Sequence, residues 1–205
     1  MPLPRFDKLP PEKRRTILDA AASEFAQHGY DGASFNRIIA AAGISKGAMY
    51  YYFEDKGDAY GAVLDEMMDR VESAMQGMPA PTDRESFWAI LAEGLGRLEM
   101  QFFEDPQIAA LMRSLYSRGP GDLTYLRLIE RSRGWIRQLL VVGQSLGATR
   151  DDVPLDLLTE IVTAMMAALD QWFDRAMDTM PMEELLVLSP KSLELMRDLL
   201  EPKPR

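Results

Sequence analysis

From Pro11 to Leu200 the apolar residues recur three and four positions apart, and no segment alternates with the period of two that a half-buried strand requires. This confines the chain to an all-α fold, which glycine and proline punctuate into about nine helices. Behind Pro10-Pro11, the residues Ile17, Leu18, Ala21, Ala22 and Phe25 line one helical face, and Gly29 ends it. Ser34 is placed to cap a second helix reaching Ala41, Ala42-Gly43-Ile44 makes a tight turn, and Ser45 can cap a third short helix. A fourth starts near Asp55 or Lys56, with Tyr60, Val63, Leu64, Met67, Met68 and Val71 on one face. Further helices are expected over residues 82–103, 107–117, 122–146, 154–178 and 190–200, with Pro154 as a first helical residue.

Composition narrows the chemistry. The 205 residues include no cysteine and one histidine, so disulfides, thiolate metal sites and cysteine nucleophiles are excluded together. His28 stands at the end of the first helix, where it suits the helix dipole, and no carboxylate pair has a diagnostic spacing. An enzyme is therefore disfavoured, and no catalytic residue, metal or cofactor is expected. No apolar run nears the ~18 residues of a membrane span. The residues before Pro10 mix charge with proline rather than forming an apolar leader, so a cytoplasmic protein without a membrane partner is expected.

A net charge of −9 argues, taken alone, against a nucleic-acid partner. The charge is unevenly spread. Residues 1–60 carry 8 basic and 8 acidic side chains, whereas residues 61–205 carry 15 and 24. A neutral first segment leaves room for a local basic face built from Arg37, Lys46, Lys56 and neighbours.

The residues from Ser34 to Phe53 give that face a form. Short helix, glycine turn and short helix make a helix-turn-helix, with Ile38, Ile39, Ala42, Ile44 and Met49 placed to pack its two arms. Such a unit lays its second helix in the major groove of DNA. In Lys46-Gly47-Ala48-Met49-Tyr50-Tyr51-Tyr52-Phe53, four successive aromatics point in four directions at 100° per residue, so some must face outward with wet hydroxyls. Gly47 is a poor helix former, but having no side chain it lets the backbone approach a partner closely. A cation, a glycine and outward hydroxyls at one helix start suit phosphates and base edges.

Residues 12–64 resemble the N-terminal domain of TetR-type (tetracycline-repressor-like) transcription regulators. The resemblance is carried by Phe25, Gly29-Tyr30, Ser34, Ile38-Ile39-Ala40, Ala42-Gly43-Ile44-Ser45-Lys46-Gly47, Tyr50-Tyr51-Tyr52-Phe53 and Lys56. It implies that Ser34 and Lys56 anchor the phosphate backbone, with Ser45 at the recognition helix start. It further implies that Tyr50, Tyr51 and Tyr52 donate hydroxyls to phosphates, and that Lys46, Gly47 and Ala48 sit at base edges. Asn36 and Arg37 would reach in from the second helix. Ala48 stands where the family often has Thr or Ser, and Tyr51 and Tyr52 stand where His is frequent.

The resemblance divides the chain into a DNA-binding part, residues 1–57, and a ligand-binding and dimerisation part, residues 58–205. Within the second part, Phe102, Met112, Tyr116, Trp135, Met166 and Asp170 are candidates for an effector pocket. Leu158, Met165, Leu169, Trp172 and Phe173, followed by Leu193, Met196 and Leu200, spread wider than one stripe, which predicts burial on two sides and pairing with a second copy. The expected protein is a homodimeric repressor that a small molecule releases from a palindromic operator in double-stranded DNA; the alternative is an activator, or a DNA-binding protein controlled by a protein partner.

Overall fold

The computed structural model describes residues 2–75, 77–118, 122–177 and 179–203; within the helices, the side chains of residues 71, 74, 75, 101–104, 106, 117, 118 and 182 fall outside that description. Among the described residues there are nine helices and no strand: α1 (Pro11–Gly32), α2 (Phe35–Ala41), α3 (Lys46–Tyr52), α4 (Lys56–Met75), α5 (Arg84–Glu104), α6 (Pro106–Arg118), α7 (Leu123–Ser145), α8 (Leu155–Met177) and α9 (Met182–Leu200).

Local chemistry sets the boundaries of the first three. Pro11 opens α1, and Gly29 breaks it with φ 63° and ψ 174°, a backbone conformation that side chains disfavour. Ser34 Oγ accepts from Arg37 N and Ser45 Oγ accepts from Ala48 N, so each serine caps its helix. Between them Gly43, at φ 64°, turns the chain, and Ile44 N donates to Ile39 O across the turn.

The chain forms two compact units, Met1–Ala74 with Met100–Tyr125, and Met75–Glu99 with Leu126–Arg205. In the first, α4 and α6 pack with the three N-terminal helices. Tyr60 is wholly buried, meets Phe25 edge-on at 4.8 Å, and donates its hydroxyl to Leu111 O. Ile17, Leu18, Ile38, Met49 and Phe53 complete this core. In the second unit, Phe87, Trp88, Leu91, Ile136, Leu140, Leu158, Val162, Met196 and Leu200 form one buried cluster.

One expected boundary is corrected. The last helix begins at Met182, not at Pro190, and carries Pro190 inside it. An internal proline orphans one carbonyl. Here Pro190 and Leu186 are both exposed, so water can satisfy it.

Candidate nucleic-acid interface

The outward face of α3 is made of Lys46, Gly47, Tyr50 and Tyr51, all exposed and set opposite Met49, which is 0% exposed. Lys46 Nζ lies 5.9 Å from the Tyr50 ring, one turn along, and Tyr50 leans edge-on against Phe35 of α2 at 5.3 Å. A Cβ at Gly47 would meet nothing nearer than Ser45 Oγ at 4.0 Å. No packing within the chain therefore requires a glycine there. Ser45 is exposed, Ala48 half-buried, and Tyr52 half-buried against Phe6, with ring centroids 6.0 Å apart.

The residues expected to flank this face are more constrained. Asn36 is exposed on α2. Arg37 is tied down: its Nε donates to Glu24 Oε1 at 2.8 Å and its Nη2 to Gly32 O at 2.8 Å. Ser34 N also donates to Glu24 Oε1, at 2.7 Å. Glu24 is buried, yet the Arg37 hydrogen bond outweighs desolvation and holds its carboxyl below the ordinary 4.5. Lys56 is likewise engaged. Its ammonium donates to Asp31 O at 3.2 Å and Ala33 O at 3.1 Å, and lies 4.6 Å over the Tyr30 ring. Arg37 and Lys56 thus brace the loop between α1 and α2, beside any contact they make outside the chain.

Three contributors escaped the sequence reading. Glu24 was legible in principle, being an acid on the inward face of α1 between Ala21 and Phe25. Phe6 is 2% exposed, packed on Phe53 at 4.7 Å, and Leu3 N donates to Tyr52 O at 2.8 Å. Arg5 lies 4.5 Å over the Tyr51 ring.

The residues expected to line a pocket are divided between the units. Met112 and Tyr116 lie in the first, where Tyr116 meets Tyr125 edge-on at 6.3 Å. Trp135 and Met166 pack half-buried against the core of the second, and Asp170 is exposed on α8. The side chain of Phe102 lies outside the described residues. Separately, a groove of about 680 Å³ runs between α5 and α9 within the second unit, lined by Arg84, Trp88, Leu193 and Arg197 among others. On α7, Arg133 pairs with Glu160 of α8, and Arg137 stands 3.6 Å from Asp156 of the same helix.

The residues expected at an interface between copies differ in burial. Leu158, Met196 and Leu200 are buried within the second unit's own core and leave no surface for another copy. Met165, Leu169, Phe173 and Leu193 are half-buried, and Trp172 is 42% exposed. The apolar residues that α8 exposes are Leu157, Ile161, Ala164, Ala168 and Trp172, at successive helical turns, and of these Trp172 alone belongs to the expected set.

Residues 17–63 match the family described as Bacterial regulatory proteins, tetR family. The HTH-type transcriptional repressor Rv1474c of Mycobacterium tuberculosis is 30% identical over 156 residues, 71% of this chain and 74% of that protein. The chain belongs to the TetR family. The A-factor receptor protein of Streptomyces griseus is 40% identical over 65 residues, 32% of this chain, and the match spans only 24% of that protein. The family's fold extends over both units: the fatty acid degradation regulator FadR of Bacillus halodurans superposes with a TM-score of 0.74 at 21% identity, covering 92% of this chain and 96% of that one. TetR-family members are DNA-binding transcriptional regulators, not enzymes, and this chain is one of them. No helix among its described residues is long and apolar enough to cross a membrane.

Proposed function

We propose that this TetR-family protein is a homodimeric cytoplasmic repressor. The α3 helix of each copy reads one half of a palindromic operator, and a small-molecule effector bound within residues 58–205 releases the DNA. The observation that carries the reading is the outward face of α3. Lys46, Gly47, Tyr50 and Tyr51 stand exposed there, and the glycine has no structural reason to be a glycine. Lysine and tyrosine donors suit phosphates and base edges, and a bare backbone permits close approach to them. In this reading Ser34, Ser45, Ala48, Tyr52 and Lys56, with Asn36 and Arg37 of α2, add contacts around that face.

The repressor sign is supported by the relative from Mycobacterium tuberculosis, itself a repressor. Dimerisation is supported by the exposed α8 stripe, since an apolar seam of that length is costly in water. The acidic balance of residues 61–205 favours contact confined to the N-terminal part. Effector release requires an affinity for the effector that differs between the DNA-bound and released forms, typically by a few kcal/mol.

Selection of bound duplexes from a random pool at near-physiological salt tests the reading. Enrichment of a palindrome is the expected result, and it supplies the probe for screening small molecules that release it. Enrichment of a single asymmetric half-site would remove the dimer, and no enrichment would remove operator recognition by the free protein.

A further inference from the structure

The segment before α1 lies against the far end of α3, and its attachment is specific. Leu3 N donates to Tyr52 O at 2.8 Å, Phe6 is buried against Phe53 and Tyr52, and Phe6 N and Leu9 N close turns onto Leu3 O and Phe6 O. Prolines at 2, 4, 10 and 11 stiffen the same stretch. Arg5 is thereby held exposed with its guanidinium 4.5 Å over Tyr51, itself 51% exposed on the outward face of α3.

Four other cations of residues 1–60 are already engaged within the chain. Arg14 pairs with Glu66, Arg15 stands 3.9 Å from Asp19, Arg37 is bound by Glu24, and Lys56 donates to two carbonyls. Among the described residues Arg5 makes no ion pair. Its neighbours in the segment are Asp7 and Lys8, both exposed, whose charges cancel. A preorganised guanidinium without an ion pair, seated on the exposed Tyr51 ring of α3, matches a phosphate, which it can grip with two parallel donors.

We infer that Arg5, seated on Tyr51, is a DNA-backbone contact that extends the α3 surface onto a phosphate beside the groove that α3 enters. The inference rests on operator binding through α3. Because the segment is already ordered by Leu3 and Phe6, binding loses little entropy in recruiting it.

The test is the salt dependence of operator binding by the full chain, on a duplex that the wild type selects, for wild type, Arg5→Gln and Arg5→Lys. Each phosphate neutralised contributes about 0.9 to the slope of log affinity against log salt, or close to tenfold in affinity at about 0.1 M salt. Arg5→Gln, which removes the charge but leaves a polar side chain, is expected to lower the slope by about 0.9 per bound copy and to lose hydroxyl-radical protection at one backbone position per half-site, whereas Arg5→Lys keeps the slope. An Arg5→Gln protein with the wild-type slope and footprint would overturn the inference and leave operator binding standing. A wild type that selects no duplex would overturn operator binding itself, and the inference with it.

Discussion

Arg37 Nε donates to Glu24 Oε1 at 2.8 Å, joining α2 to α1 across the break at Gly29, and Ser34 N donates to the same oxygen at 2.7 Å. One buried carboxylate thus fixes the entry angle of the first arm of the helix-turn-helix. Glu24→Gln retains the shape but removes the charge that both donors meet, and is expected to cost about 2 kcal/mol at neutral pH. The carboxyl's pKa is lowered by folding, so its contribution is fully present above the ordinary 4.5 and is lost as pH falls through the lowered value. The gap between wild type and Glu24→Gln in denaturant unfolding is therefore expected to be full at about pH 7 and to close in strong acid. A gap that stays constant with pH would show that the charge is not what matters.

Lys56 offers a second test of bracing against binding. Its ammonium spends two donors on Asp31 O and Ala33 O and lies over the Tyr30 ring, leaving one donor for a phosphate. Lys56→Met keeps the stem and is expected to cost about 1 kcal/mol of stability and to flatten the salt slope of DNA binding by about one unit, equally for all duplex sequences. Lowered stability with an unchanged slope would leave Lys56 as a brace alone.

The order of helices was readable because each boundary near the N-terminus obeys a local rule: Ser34 and Ser45 cap, and Gly29 and Gly43 take positive φ. What escaped depends on which surfaces meet. On α8, apolar residues run almost around the helix, so Leu157 and Leu158 are equivalent by pattern. Only packing reveals that Leu158 faces the chain's own core and Leu157 faces out. Arg5 and Phe6 lie in a proline-rich segment without periodicity, where no helical or strand pattern marks an inward face. Arg37 and Lys56 were legible as cations, but their carbonyl and carboxylate partners come from α1 and its loop, beyond the reach of local spacing.

Gly47 should separate folding from function by sign. Alanine there meets no neighbour closer than 4.0 Å and is a better helix residue, so Gly47→Ala is expected to raise stability by about 0.5 kcal/mol while weakening operator binding. Thermal unfolding and operator titration on the same preparation read the two effects. Equal or tighter DNA binding by the variant would remove the close backbone approach from the reading.

Two glycines of α7 are expected to behave oppositely. A Cβ at Gly143 would lie 2.7 Å from Thr149 Cγ2 and 3.0 Å from Phe87 Cζ, where the end of α7 folds back on the second unit's core. Gly143→Ala is expected to destabilise by about 2 kcal/mol through overpacking. At Gly134, exposed with nothing within 4 Å, alanine is expected to stabilise by about 0.5 to 1 kcal/mol. Chemical denaturation of both variants checks the packing at the end of α7, and a neutral Gly143→Ala would contradict it.

The α8 stripe carries the dimer proposal and can be struck without touching the core. Ile161 is 38% exposed and sits mid-stripe between Leu157 and Ala164, whereas Val162, the next residue, is 1% exposed. A charge at Ile161 costs the isolated chain little, because its side chain already meets water, but would be buried unpaired in a two-fold seam that brings the stripe against its own copy. Ile161→Glu is expected to convert a dimer into a folded monomer with unchanged helical content, by sedimentation at micromolar concentration, and to weaken binding to a palindrome far more than to a half-site. Val162→Glu, directed at the core, should instead lose helical structure. If Ile161→Glu sediments as the wild type does, the copies meet elsewhere or not at all, and the two-fold reading of the operator loses its structural basis.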